Sequence, residues 1–98
     1  RMQVAMHEMM HIALWNRRDI THLPNTKSII YYKVYGDNLV PTTEDMELMK
    51  WALTKANSIE FKVLFDVQKY PKINLALISA VMTWNVHLGK EFFHIIAV

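Results

Sequence analysis

The chain contains no cysteine. Disulfide bonds and thiolate metal sites are therefore excluded, and any metal ion must be bound by His, Asp, Glu or Tyr side chains. The absence leaves the cellular compartment open, because secreted proteins need not contain disulfides.

The chain also lacks an excess of charge of one sign, and it lacks a long apolar segment. The formal net charge is only +2, and the basic residues are scattered apart from Arg17-Arg18, so the chain lacks the basic stripe of nucleic-acid-binding domains. The longest apolar-rich stretch, residues 73–84, is interrupted by polar residues and is shorter than the roughly 20 residues that cross a membrane. We therefore expect neither nucleic acid nor a membrane as a partner.

The size and the hydrophobic pattern predict one small α+β domain with three helices and a sheet of two or few strands. The chain has 98 residues, of which 52% are apolar and 20% charged, a balance typical of a globular domain. Residues 41–45 are the expected start of the second helix, with a Thr as its cap, and Leu88-Gly89 is the expected end of the third. We predict helices over residues 2–14, from 41–45 to about 56, and from near 71 through 87, strands over 59–65 and 91–98, and a long loop between the first two helices.

The motif His7-Glu8-Met9-Met10-His11 places two histidines one helical turn apart. Side chains at i and i+4 lie on the same face of a helix, so both imidazoles can reach one Zn²⁺ at ~2.0–2.1 Å. Glu8 then projects close to the open coordination position, where it can take a proton from water as a general base. The alternative is a surface helix that carries two unrelated histidines. The motif alone does not distinguish a zinc-binding helix from such a surface helix, so the surrounding sequence is needed.

Catalytic zinc commonly has three protein ligands, so a third ligand should follow the helix. His22 lies in the loop directly after the helix and is the first candidate, and Asp19 is the second. His87 and His94 are interpreted instead as a helix-end residue and a strand residue.

Three segments resemble the matrixin-like metzincin peptidases, whose pattern is HExxHxxGxxH followed by a methionine-containing turn. Residues 4–11 look like the active-site helix of that family. Residues 22–32 are similar to its stretch from the third zinc ligand to the Met-turn, with Ile30 in place of the methionine, and residues 41–51 resemble the start of its C-terminal helix. The resemblance covers most of residues 1–56.

This resemblance implies a secreted or extracytoplasmic zinc endopeptidase that acts on peptide or protein substrates. His7, His11 and His22 would bind Zn²⁺, and Glu8 would be the general base. Tyr32 matches a tyrosine that resembles a fifth ligand or a transition-state donor in some metzincin branches. The alternative for Tyr32 is a loop aromatic that packs on the core.

The sequence departs from the family pattern at the end of the first helix. Leu14 stands at the glycine position, and Arg17 stands at the usual position of the third histidine. Glycine lets the chain leave a helix in the left-handed conformation, which Leu tolerates poorly. We therefore expect the helix to continue to about Trp15, Asn16 to take the left-handed conformation, and five extra residues to bring His22 to the metal.

Residues 59–98 resemble the opening of the same family, a strand, a long helix bearing a tryptophan (here Trp84) and a further strand, yet they follow the C-terminal helix. The chain therefore resembles a circularly permuted and shortened matrixin-like domain, joined near residues 56–58. The alternative is a generic strand-helix-strand unit. Because few strands are available to pair with an extended substrate, the substrate groove is expected to be short, supplied by a partner or lost.

Three functions are compatible with the sequence. The first is the zinc endopeptidase. The second is a non-catalytic zinc-binding structural or interaction module derived from a metallopeptidase. The third is a metal-free interaction domain that uses the seven methionines and exposed aromatics as an adaptable surface, although Met at helical spacing is more often part of a core.

Overall fold

The computed structural model describes residues 2–34, 39–63 and 66–97. Its fold is α+β, with three helices and a two-stranded parallel sheet, which confirms the predicted fold class. The parts of the predicted loop and strands that fall on residues 35–38, 64–65 and 98 lie outside the described residues. The elements in chain order are α1 Met2–Ala13, α2 Thr43–Lys55, β1 Ile59–Val63, α3 Pro71–Leu88 and β2 Phe93–Ala97.

Helix α2 begins with a Thr cap, as predicted, and the structure identifies this residue as Thr42. The Thr42 hydroxyl accepts a hydrogen bond from the backbone N–H of Asp45 at 3.1 Å, and the Asp45 carboxylate accepts one from the backbone N–H of Thr42 at 2.9 Å. This reciprocal capping box satisfies two N–H groups that the first helical turn leaves without intrahelical partners. The helix ends at Lys55, one residue before the predicted end.

Helix α3 connects the two parallel strands and has the predicted ends. Pro71 stands at its first position, where a missing N–H costs nothing, and Gly89 follows its last residue with φ 70°, a left-handed conformation that suits glycine. Strand β2 begins two residues later than predicted, at Phe93. The side-chain oxygen of Asn85 accepts hydrogen bonds from the backbone N–H groups of Phe92 and Phe93, which fixes the chain between α3 and β2.

The core lies where α3 packs against α1 and against strand β2. Trp84 on α3 is fully buried, and its indole N–H donates a hydrogen bond of 3.1 Å to the backbone carbonyl of Met6 on α1. Met6, Met10 and Met49 are also fully buried. These methionines therefore belong to the core, as expected for Met at helical spacing.

The exit from α1 differs from the prediction. The helix ends at Ala13, and no non-glycine residue among those described has a positive φ, so the expected continuation to Trp15 and the left-handed Asn16 are wrong. Instead, the chain leaves through tight turns in which the N–H of Trp15 bonds to the carbonyl of Ile12 at 3.2 Å. Such i to i−3 hydrogen bonds satisfy the last carbonyls of a helix without a left-handed residue.

Candidate metal centre

Helix α1 and the loop after it bring the three predicted metal ligands together. The Nε2 atoms of His7 and His11 lie 3.1 Å apart, and those of His11 and His22 lie 3.2 Å apart. One ligand atom from each of the three rings lies within 4.8 Å of the others. Two nitrogens bound tetrahedrally to one ion at ~2.0–2.1 Å are about 3.3–3.4 Å apart, so the three rings are spaced as metal ligands are and can bind a metal ion.

A hydrogen bond makes Nδ1 of the most buried of these rings a donor. His7 is only 5% exposed, and its Nδ1 lies 2.8 Å from the backbone carbonyl oxygen of Ile29. A carbonyl oxygen accepts but cannot donate, so the Nδ1 carries the proton. The Nε2 of a neutral His7 ring then has its lone pair directed at the cluster. Histidine ligands of metals are held in this way by a second partner.

The electrostatic surroundings of His11 favour the uncharged form of its own ring. Burial lowers the pKa of His11, the neighbouring His7 and His22 rings lower it further, and the carboxylate of Glu8 raises it to a smaller extent. The net effect is a lowered pKa, so the ring is uncharged at neutral pH and keeps a lone pair for a metal ion.

The three histidines of the cluster differ in their exposure to solvent. His7 is buried, His11 is partly buried and His22 is exposed. Within residues 2–34, 39–63 and 66–97, no further His, Asp or Glu joins these three. Three protein ligands leave one position of a tetrahedral ion free, and catalytic metal sites keep such a position for water or substrate.

Asp45 holds the backbone segment that orients His7. This carboxylate is fully buried and accepts hydrogen bonds from the Ser28 hydroxyl and from the backbone N–H of Ile29, the latter at 2.8 Å. It is also part of the capping box of α2, so the start of α2 supports the carbonyl of Ile29 that bonds to His7. The sequence identified Asp45 only as an acidic residue in a first helical turn. Its bonds to a segment 16 and 17 residues away gave no sequence signal.

We predict that Asp45→Ala destabilises the protein by about 3 kcal/mol or more, because several buried N–H and O–H donors lose their acceptor at once. Urea unfolding of the metal-free protein measures this change. Glu44→Ala is the matched control, since Glu44 is exposed in the same helical turn and its loss removes the same charge. If the Ala variant does not fold, the milder Asp45→Asn serves instead. Equal stability of the Asp45 and Glu44 variants would contradict the supporting role.

Asp19, the alternative third ligand, is engaged elsewhere. Both of its carboxylate oxygens accept hydrogen bonds from the Arg17 guanidinium, at 3.0 and 2.9 Å. These bonds lower the pKa of Asp19 and raise that of Arg17. The Arg17 guanidinium also lies over the ring of Trp51 on α2, 5.0 Å from its centroid. Arg17 therefore attaches the loop before His22 to α2, and His22 rather than Asp19 joins the other two histidines.

The remaining candidates lie where their sequence contexts indicated. His87 is exposed in the last turn of α3, and His94 is partly buried in β2. Tyr32 is 59% exposed, and its ring lies 4.8 Å from that of Tyr31, with the Lys33 ammonium 5.4 Å from its centroid. The role of Tyr32 as a further ligand or transition-state donor stays a prediction.

Comparison with known proteins gives no relative: no family model, no curated protein and no solved structure matches the chain. None of the helices in the described part of the chain is both long and apolar enough to cross a membrane. Function must therefore be inferred from the three histidines and their surroundings.

Proposed function

We propose that the protein is a zinc-dependent endopeptidase of the matrixin-like metzincin type. The observation that carries the proposal is the convergence of three Nε2 atoms, from His7, His11 and His22, in a cluster whose third member, His22, is exposed to solvent. A structural metal site would be closed by a fourth protein ligand. Three ligands with an exposed side are instead the features of a hydrolytic site, and Glu8, which directly follows His7 in the sequence, is the candidate general base.

Zinc is the metal that best fits these ligands. Imidazole nitrogen suits several transition metals, including zinc, copper, iron and nickel. A tetrahedral arrangement of three neutral imidazoles with one free position is characteristic of catalytic zinc. The spacing of the three Nε2 atoms, at 3.1 and 3.2 Å for the two pairs given above, is compatible with this arrangement.

The chain's own residues supply the proton transfers. Bound zinc would polarise the carbonyl of the scissile peptide bond and lower the pKa of a water molecule in the site. Glu8 takes a proton from this water as its oxygen attacks the carbonyl carbon, and then gives the proton to the nitrogen of the leaving amine as the C–N bond breaks. The bond from His7 to the Ile29 carbonyl keeps that ligand in the required tautomer and orientation.

The packing of α3 on α1 supports the proposed permuted relation to the metzincins. Strand β1, helix α3 and strand β2 form one parallel unit, and Trp84 of that unit bonds to the backbone of α1 between the start of the helix and His7. This unit therefore packs on α1 through α3, although it follows α2 in the chain. Catalysis depends on where side chains lie in space and not on chain order.

A non-catalytic zinc-binding module is the second candidate, and the size of the sheet favours it. The described sheet has two strands of five residues each, paired with each other. An extended substrate gains much of its affinity by adding a strand to a sheet edge. A sheet this small offers little edge for that purpose.

Metal analysis combined with a hydrolysis assay tests the proposal. We expect the purified protein to bind one zinc ion per chain and to cleave members of an internally quenched peptide library. A chelator should abolish cleavage, and added zinc should restore it. A His87→Ala variant is the control for loss of a histidine outside the cluster. Tight zinc binding without cleavage of any peptide would favour the non-catalytic module, and absence of zinc binding would contradict both candidates.

A further inference from the structure

A cavity of about 460 Å³ lies beside the candidate metal centre. It is formed by the C-terminal end of α1 and the turns that follow, and His11 contributes to its wall. Pockets that bind small ligands have volumes of ~300–1,000 Å³, so this cavity is large enough for one peptide residue. Because His11 belongs both to the cluster and to the cavity wall, a residue held here would lie next to the metal.

The cavity carries positive charge that is not balanced by its own wall. Arg17 and Arg18 line it, and no acidic residue does. Arg17 is neutralised, because its guanidinium forms two hydrogen bonds with Asp19. Arg18 is exposed, and within the described residues the single ion pair is that of Arg17 with Asp19. The guanidinium of Arg18 is thus the group that can pair with an anion entering the cavity, and carboxylates are natural partners for its planar fork of donors.

Leu14, Trp15 and Ile20 form an apolar part of the wall, and some of this apolar surface is exposed to water. Trp15 is 78% exposed although it lines the cavity, and Ile20 is partly buried beside it. Burial of such surface is favourable by about 25 cal/mol per Å² of apolar area. A group with methylenes to cover Trp15 and an anionic end to reach Arg18 matches both features of the wall.

We propose that this cavity is a substrate subsite for a peptide residue that carries a carboxylate, and that Arg18 pairs with that carboxylate. The carboxylate belongs either to an acidic side chain such as glutamate or to the C-terminus of the peptide. This subsite rests on the proposed peptidase function, because the cavity adjoins the cluster through His11.

Matched peptides test the preference by hydrolysis. A cleaved peptide from the library is made with Glu or Gln at each position in turn, and with a free or an amidated C-terminus. We expect kcat/KM to be about fivefold or more higher for one acidic form, as for other charge-assisted pairs. Arg18→Gln should remove this preference, and Lys72→Gln, which removes an exposed charge at the start of α3, should retain it. The position that responds identifies whether a side chain or the C-terminus supplies the carboxylate.

A binding measurement separates this subsite from the peptidase function. The zinc-loaded Glu8→Gln protein is titrated with the same peptides while the NMR signals of the indole N–H groups are followed, and Trp15→Phe identifies the signal of Trp15. We expect the acidic peptide to shift the Trp15 signal at concentrations at least about fivefold lower than the neutral peptide, and Arg18→Gln to abolish the difference.

The outcomes distinguish the two proposals. Binding that depends on Arg18 without hydrolysis by the wild type would support the subsite and contradict the peptidase. Hydrolysis with equal use of acidic and neutral peptides, or a preference that survives Arg18→Gln, would overturn the subsite and leave the peptidase intact. Absence of any Trp15 shift with acidic peptides would also overturn the subsite.

Discussion

Replacing His22 by Ala is expected to weaken zinc binding more than about 100-fold. Changes in groups that only orient metal ligands already cost about 10–100-fold in affinity, so removal of a ligand should cost more. The metal-free protein should change in stability by no more than about 0.5 kcal/mol, because the His22 side chain is exposed. Competition with a chelator of known zinc affinity measures the first effect, and urea unfolding of the metal-free protein measures the second.

Two matched variants complete this experiment. Asp19→Ala should keep zinc affinity close to that of the wild type, since the Asp19 carboxylate is bound by Arg17 and not by the cluster. His87→Ala removes an exposed histidine from the last turn of α3 and should have no effect on zinc. Loss of zinc with Asp19→Ala, together with normal affinity in His22→Ala, would show that the loop rearranges when the metal binds and that Asp19 is the ligand.

The local part of the site could be predicted from the sequence. A spacing of four residues puts His7 and His11 on one face of a helix whatever surrounds it. The apolar residues of the same helix also indicated which face is inside, and Met6 and Met10 are fully buried. The start of α2 and both ends of α3 could also be predicted from the sequence, because capping residues such as Thr42, Pro71 and Gly89 act on backbone groups within one turn of themselves.

Contacts between distant segments could not be predicted in the same way. Whether His22 or Asp19 reaches the cluster depends on the path of the loop, which the stacking of Arg17 on Trp51 helps to fix. Helix α2, which contains Trp51, begins more than 20 residues after Arg17. The wrong prediction of a left-handed Asn16 has a related origin. It assumed that the helix must end in a left-handed residue, because the family pattern has a glycine at the position of Leu14, but the chain leaves α1 through i to i−3 turns without one.

The burial of His7 connects the fold to the metal. An imidazole that is only 5% exposed has lost its hydration, and this loss is costly unless both ring nitrogens have partners. The Ile29 carbonyl serves Nδ1, and the cluster faces Nε2. A metal ion would satisfy Nε2 and the facing nitrogens of His11 and His22 together. Metal binding should therefore stabilise the fold as well as complete the site.

The Glu8→Gln variant is expected to bind zinc normally and to lose most of its peptidase activity. Gln has the same shape as Glu and can form hydrogen bonds, but it cannot accept the proton of the attacking water. General base catalysis contributes roughly 100- to 10,000-fold, so kcat/KM should fall by about that factor. Zinc content should stay at one ion per chain, because Glu8 is not among the three ligands. Peptide hydrolysis and metal analysis of the same preparation measure both quantities.

Glu60→Gln on β1 is the matched control for this change. Its carboxylate is exposed on the sheet, so the substitution alters the charge equally and should leave hydrolysis at the wild-type rate. Hydrolysis by Glu8→Gln at the wild-type rate would mean that another group takes the proton, and the mechanism given above would be wrong. A variant that loses both zinc and activity would instead show that Glu8 supports the metal. The proposed mechanism requires zinc to stay bound while hydrolysis fails, because Glu8 acts on the water and the three histidines hold the ion.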